Sequence, residues 1–170
     1  MGDFAIREAR PDEHAAVGRL TVDAYSEYEP KLSPTWWRHY RRDLSNVAER
    51  ARTGVILVAE VDGELAGAVT YNPAGSGRGD VHEFPADWAY FRALAVDPGH
   101  RGQGIGRALA DECVRRARAE GAAALALHTT FLMPVARAMY ERMGFEQLDE
   151  HDDWPEGLYW TYVLRFGAAA

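Results

Sequence analysis

Gly102, Gly104 and Gly106 alternate with other residues between Arg101 and Arg107, and they follow an apolar run, Phe91-Arg92-Ala93-Leu94-Ala95-Val96. A long segment with an apolar stripe comes after them. A glycine loop that opens a helix leaves backbone N–H groups unpaired at the positive end of the helix dipole. That arrangement binds phosphate. Glycine permits close backbone approach to such an anion, and Arg101 and Arg107 add charge.

The elements that must hold this loop follow from the hydrophobic pattern. Residues 4–8 alternate apolar and polar, as a first strand with one buried face does. Arg10-Pro11-Asp12-Glu13 is a helix start, with proline and acidic residues in the first turn. Val17, Leu20, Ala24 and Tyr25 follow at helical spacing. A second helix is expected from about Pro34 to Ala51, with Trp37, Tyr40, Leu44, Val47, Ala48 and Ala51 on one face. Asp62-Gly63, between apolar runs at 55–61 and 64–71, signals a tight hairpin. Residues 72–87, rich in Gly, Pro and Ser, carry the weakest signal for regular structure. Residues 88–96 form the strand that feeds the loop. The helix beyond it places Ile105, Leu109, Cys113 and Ala117 on one stripe and stops at Gly121. A strand at 123–130, a helix at 134–143 closed by Gly144, a strand at 145–150, an acidic loop at 152–157 and a last strand at 158–166 complete the chain. The order β-α-α-β-β-β-α-β-α-β-β, without repeat or linker, predicts one α/β domain with a mixed sheet and a core from about residue 4 to 166.

Two familiar phosphate loops are excluded. A P-loop needs a lysine followed by Ser or Thr, and here the loop ends Gly104-Ile105-Gly106-Arg107. A dinucleotide fingerprint needs glycine where Arg107 stands. The run Leu94-Ala95-Val96-Asp97-Pro98 followed by Arg101-Gly102-Gln103-Gly104-Ile105-Gly106 resembles the acetyl-coenzyme A signature of the GNAT N-acetyltransferase superfamily, and the element order is similar to that family's fold across nearly the whole chain. The resemblance implies a mixed, mostly antiparallel central sheet with helices on both faces (α+β), as a single N-acetyltransferase domain over residues 1–170. It implies acetyl-CoA as donor co-substrate. Its pyrophosphate would lie on the amides of Arg101, Gly102, Gln103, Gly104, Ile105, Gly106 and Arg107, and its pantetheine arm along Leu94, Ala95 and Val96. A backbone N–H near Ala95 or Val96 would polarise the thioester carbonyl.

Residues 136–145 resemble the family's second segment, in which a tyrosine precedes Gly-Phe by four residues. That makes Tyr140 the general acid that protonates the departing thiolate and Ala136 a coenzyme contact. The Tyr140 ring can also pack in the helix's apolar face while its hydroxyl faces a cleft. The chain departs from the pattern at Met133, where relatives often carry asparagine.

An amine acceptor must lose a proton before it attacks. No carboxylate lies between Trp88 and Val96, so the candidate bases are Glu83, in the preceding loop with His82 and Asp87, and His128, at the polar end of its strand. Acceptor contacts are expected from Tyr25, Tyr28 and Trp36, and from Trp154, Glu156 and Tyr159. Aromatic rings with nearby carboxylates suit a cationic amine. Trp37 and Tyr40 read equally as core.

At 170 residues the chain is the size of one domain. Its net charge of −7 argues against nonspecific nucleic-acid binding. No apolar run approaches membrane-spanning length and the first residues lack a secretory pattern, so a cytoplasmic protein is expected. The lone Cys113 forms no internal disulfide, and no Cys/His cluster suggests a metal. The sequence therefore reads as an acetyl-CoA-dependent N-acetyltransferase acting on a small-molecule or peptide amine, with a homodimer as an option of the fold. The alternative is a non-catalytic acyl-CoA-binding or sensing module of the same fold.

Overall fold

Asp62 and Gly63 both take positive φ, 49° and 84°, the twist of a type I′ hairpin. They join β2 (Val55–Val61) to β3 (Glu64–Asn72) in antiparallel register. The structure is a computed structural model that describes residues 3–76, 84–154 and 157–167. Among these residues the remaining strands are β1 (Ala5–Glu8), β4 (Trp88–Val96), β5 (Ala124–Thr130), β6 (Glu146–Trp154) and β7 (Gly157–Arg165). The strand order is β1-β2-β3-β4-β5-β7-β6, a mixed and mostly antiparallel open sheet in which β4 and β5 run parallel. The helices are α1 (His14–Tyr25), α2 (Pro34–Ser45), α3 (Val47–Arg50), α4 (Ile105–Ala119) and α5 (Pro134–Arg142). None is long and apolar enough to cross a membrane.

The chain forms two compact units, each drawn from two segments: Met1–Tyr71 with Ala93–Cys113, and Asn72–Arg92 with Val114–Ala170. In the first, Val17, Val47, Ile56, Val58 and Ala68 form a buried cluster, flanked by Ala9, Leu20, Ala51 and Leu65. Arg7 on the edge strand β1 reaches Glu13 at 2.7 Å and Glu60 at 2.6 Å. In the second unit, β5 and β7 pair over Ala124 to Thr130, and Leu125, Leu127, Tyr162 and Val163 are buried there.

Two expectations need correction. The single helix expected from Pro34 to Ala51 is two, because Asn46 leaves helical geometry at ψ 64° and its side chain accepts from Glu49 N–H to start α3. The restart keeps Val47 buried but leaves Ala48 exposed. It also brings Arg50 back under the end of α2. Its buried guanidinium donates to the Asp43 and Leu44 carbonyls, both at 2.8 Å, and to Thr70 Oγ1 at 3.0 Å. Carbonyls at a helix end lack the ladder partner they would have inside the helix, and Arg50 supplies a donor to Leu44 and a second one to Asp43, which also accepts from Asn46 N–H at 3.1 Å. The second correction concerns the acidic loop at 152–157. Asp152, Asp153 and Trp154 continue β6 and pair with Tyr159, Leu158 and Gly157, since a hairpin ladder extends to its turn whatever the charge of an edge strand.

Candidate functional site

Asp97 ends β4 and starts the loop. Its N–H donates to the Ala66 carbonyl at 2.9 Å, fastening the strand end to β3. Its Oδ1 accepts from Gly99 N–H at 2.9 Å and lies 3.2 Å from His100 Nδ1, which caps the 3₁₀ turn Pro98–His100. Gly102 and Gly104 then take φ of 76° and 85°, a left-handed conformation that favours glycine, and the chain enters α4. The first ladder bond of α4 runs from Ala108 N–H to the Gly104 carbonyl at 3.0 Å. The amides of Ile105, Gly106 and Arg107 lie ahead of that ladder, at the positive end of the helix. A Cβ added at Gly102 or Gly104 would meet no atom within 4 Å, so open space borders the backbone where an anion would approach. Gly106 lies inside α4, and a Cβ there would sit 3.4 Å from Val96 Cγ2. The donor set fits a pyrophosphate.

The two loop arginines are engaged elsewhere. Arg107 Nε donates to Asp111 at 3.0 Å, one helical turn on. Arg101 donates to Glu27 Oε2 at 3.0 Å and to the Ala24 carbonyl at 3.1 Å. The sequence offered no hint of Glu27, which lies far from Arg101 along the chain. Burial disfavours ionisation of Glu27, but hydrogen bonds from Arg101 and Tyr28 outweigh it, and its pKa lies below the ordinary value. The neighbouring Tyr28 phenol is pushed well above its ordinary value by burial and by its hydrogen bond to Glu27.

Arg101 thereby ties the loop to the end of α1 and the segment after it, which hold Tyr25 and Tyr28 of the expected acceptor aromatics. Tyr25 is buried, and its hydroxyl donates to the Leu94 carbonyl of β4 at 3.0 Å. Its ring meets Tyr28 at 6.0 Å and Tyr40 at 5.7 Å, and Trp36 stacks on Tyr40 at 5.6 Å. Trp37 is buried and edges onto Tyr40 at 6.4 Å. Within β4, Ala93 adopts φ 53°. A left-handed alanine costs on the order of 1–2 kcal/mol. It interrupts the extended backbone of β4 just before Leu94, Ala95 and Val96. An alanine carries no sequence signal for this.

In the second unit, Tyr140 is buried on α5 with its ring against Phe91 and Phe145, each at 5.9 Å. Gly144 at φ 94° closes α5. Its N–H donates to the Glu141 carbonyl and the Phe145 N–H to the Tyr140 carbonyl, both at 3.0 Å, a Schellman cap that seats Phe145 beside Tyr140. Ala136 lies half-buried one turn before Tyr140. His128 on β5 is stacked under Phe84 at 4.9 Å, and its Nδ1 lies 3.2 Å from Thr161 Oγ1 on β7. Asp87 is exposed, and its carbonyl accepts from Ala123 N–H. Glu83, His82 and Glu156 lie outside the described residues, as does the side chain of Trp154. Cys113 is buried on α4. Among the described residues no group of three or more His, Cys, Asp or Glu is placed to hold a metal ion.

Comparison with known proteins bears on both segments. The model of the Acetyltransferase (GNAT) family matches residues 15–145. Streptothricin acetyltransferase of Streptomyces lavendulae is 36% identical over 164 residues, covering 84% of this chain and 81% of that protein. N-acetyltransferase 8B of Mus musculus is 27% identical, over 85% of this chain and 57% of its own length. Among solved structures, PaiA N-acetyltransferase from Thermoplasma acidophilum in complex with coenzyme A shares the fold with a TM-score of 0.75 at 15% identity, covering 96% of this chain and 99% of that one. A GNAT family acetyltransferase from Brucella melitensis in complex with acetyl-CoA gives 0.67 at 23% identity, covering all of this chain and 92% of that one.

Proposed function

The chain belongs to the acetyltransferase (GNAT) family, and from that premise we propose that it moves an acetyl group from acetyl-CoA to the primary amine of a small cationic acceptor by direct attack on the thioester. Acetyl-CoA supplies the acetyl group as an activated thioester. The observation that carries the donor assignment is the loop from Arg101 to Arg107, with left-handed Gly102 and Gly104 leading into three helix-start amides ahead of the ladder. Gln103 completes that loop, and Leu94, Ala95 and Val96 are the strand along which the pantetheine arm would lie.

The nitrogen lone pair forms the new C–N bond, the C–S bond breaks, and the departing thiolate takes a proton. A thiol has a pKa about two units above neutrality, so a nearby acid assists its departure. Tyr140 is the proposed acid, supported by its place before Gly144 and Phe145 and by the rings of Phe91 and Phe145 that hold it. His128 is the proposed base, with Glu83 as the other candidate. In the tautomer that donates Nδ1–H to Thr161 Oγ1, 3.2 Å away, Nε2 carries the lone pair that would take the proton from the amine. The cationic acceptor is supported by the aromatic group of Tyr25, Tyr28, Tyr40 and Trp36 and by the name of the streptothricin acetyltransferase relative.

The test is release of free thiol from acetyl-CoA across streptothricin, polyamines, aminoglycosides, amino acids and peptides with free N-termini, with products read by mass spectrometry. Acetylation of one cationic class well above the others is expected. Tight coenzyme A binding with no acceptor-dependent thiol release would reduce the chain to a coenzyme-binding module.

A further inference from the structure

The arginines of the first unit fall into three groups: Arg50 is buried on carbonyls and Thr70, five others make ion pairs and four make none among the described residues. Arg7, Arg10, Arg52, Arg101 and Arg107 each make an ion pair. Arg19, Arg38, Arg41 and Arg42 make none among the described residues, although the chain has 26 carboxylates against 19 Lys and Arg. All four line one groove between α1 and α2. Ala15, Gly18, Arg19 and Val22 form one stripe of α1 at helical spacing, and Arg38, Arg41, Arg42 and Ser45 form the matching stripe of α2. At Gly18 the two helices come into backbone contact, since a Cβ there would lie 2.8 Å from the Ser45 carbonyl. Asp23 is the only carboxylate among the lining residues.

Four exposed guanidiniums against one carboxylate along one groove leave net positive charge there, which attracts an anion. Guanidinium forks match phosphate oxygens two at a time. The groove is open to solvent and has a volume of about 770 Å³, room for a small ligand. An extended polyanion such as nucleic acid, or an anionic membrane, would meet the rest of a surface whose chain carries a net −7. A compact ligand meets only the groove. We propose that the α1–α2 groove is a binding site for a small, multiply phosphorylated molecule, separate from the loop at Arg101 to Arg107.

The proposal is tested by calorimetric titration of sodium tripolyphosphate into the protein saturated with coenzyme A, so that the loop is already filled. Binding is expected for the native chain. Arg38→Gln combined with Arg41→Gln should weaken it about 100-fold, roughly tenfold for each charge-assisted contact removed. Coenzyme A affinity should be the same in both proteins, which also shows that the variant is folded. The proposal is overturned if tripolyphosphate does not bind, if it binds the variant equally, or if it competes with coenzyme A. It is also overturned if the native chain captures phosphatidylglycerol vesicles or a single-stranded oligonucleotide while ignoring tripolyphosphate.

Discussion

Replacing Gly67 by alanine tests how the phosphate loop is held. Gly67 lies on β3 beneath the start of α4, and an added Cβ would stand 2.9 Å from Ile105 Cγ2, 3.1 Å from Leu109 Cδ1 and 3.1 Å from the Ala95 carbonyl oxygen. Carbon atoms pack comfortably at about 3.5–4.0 Å. The two side chains can turn only at the expense of a core in which Ile105 and Leu109 are almost wholly buried, and the carbonyl is backbone of β4. Relief must therefore come from α4 moving outward. Overpacking of this kind costs about 1–3 kcal/mol, and a value of about 2 corresponds to a fall of roughly 4–8 °C in Tm for a chain of this length. The shift also moves the amides of Ile105, Gly106 and Arg107, and loss of about one net hydrogen bond to the pyrophosphate weakens coenzyme A about tenfold. Scanning calorimetry and titration with coenzyme A read the two effects. Gly102→Ala is the comparison, because its φ of 76° is strained for alanine while no atom lies within 4 Å of the new carbon. It should cost about 1 kcal/mol through backbone strain alone. If Gly67→Ala melts with the native protein and binds coenzyme A equally well, the packing argument is refuted.

Three further outcomes follow from the same structure. Tyr140→Phe should lower kcat by about 10²-fold with coenzyme A affinity kept, and unchanged turnover across the whole pH range would remove Tyr140 as the acid. Arg50→Met should destabilise the protein by about 2 kcal/mol in urea unfolding, because the buried bonds to the Leu44 carbonyl and Thr70 Oγ1 are lost together with the part-buried one to Asp43. Hydrogen bonds from Arg7 hold the Glu13 carboxyl at a pKa of about 2, against an ordinary value of 4.5. Its contribution is present above pH 4.5 and lost as the pH falls toward 2, so Glu13→Gln should cost about 1 kcal/mol at neutral pH and progressively less in acid, followed by thermal melts.

What the sequence determined on its own is local. Asp62-Gly63 specifies a turn whose two residues must both take positive φ, and Gly144-Phe145 a helix stop, because each depends on a few adjacent dihedrals. The loop at Arg101 to Arg107 is legible for the same reason: a run of glycines before a helical stripe fixes where unpaired amides must lie. The spacing of Ile105, Leu109, Cys113 and Ala117 likewise gave the buried face of α4, and all four are buried. Asn46 shows the limit of periodicity, since a cap can restart a helix while the apolar spacing runs on.

Tertiary structure decided which groups the local pieces meet. Arg101, expected to face phosphate, pairs with Glu27 across 74 positions of chain. Arg50 reaches Thr70 across 20. Gly67 is an ordinary strand glycine until α4 lies on it. The unpaired arginines of α1 and α2 become one groove only when the helices lie side by side. Charges and small residues interact through space, where separation along the chain is no measure of distance, so periodicity within an element says which face it buries but not what arrives there.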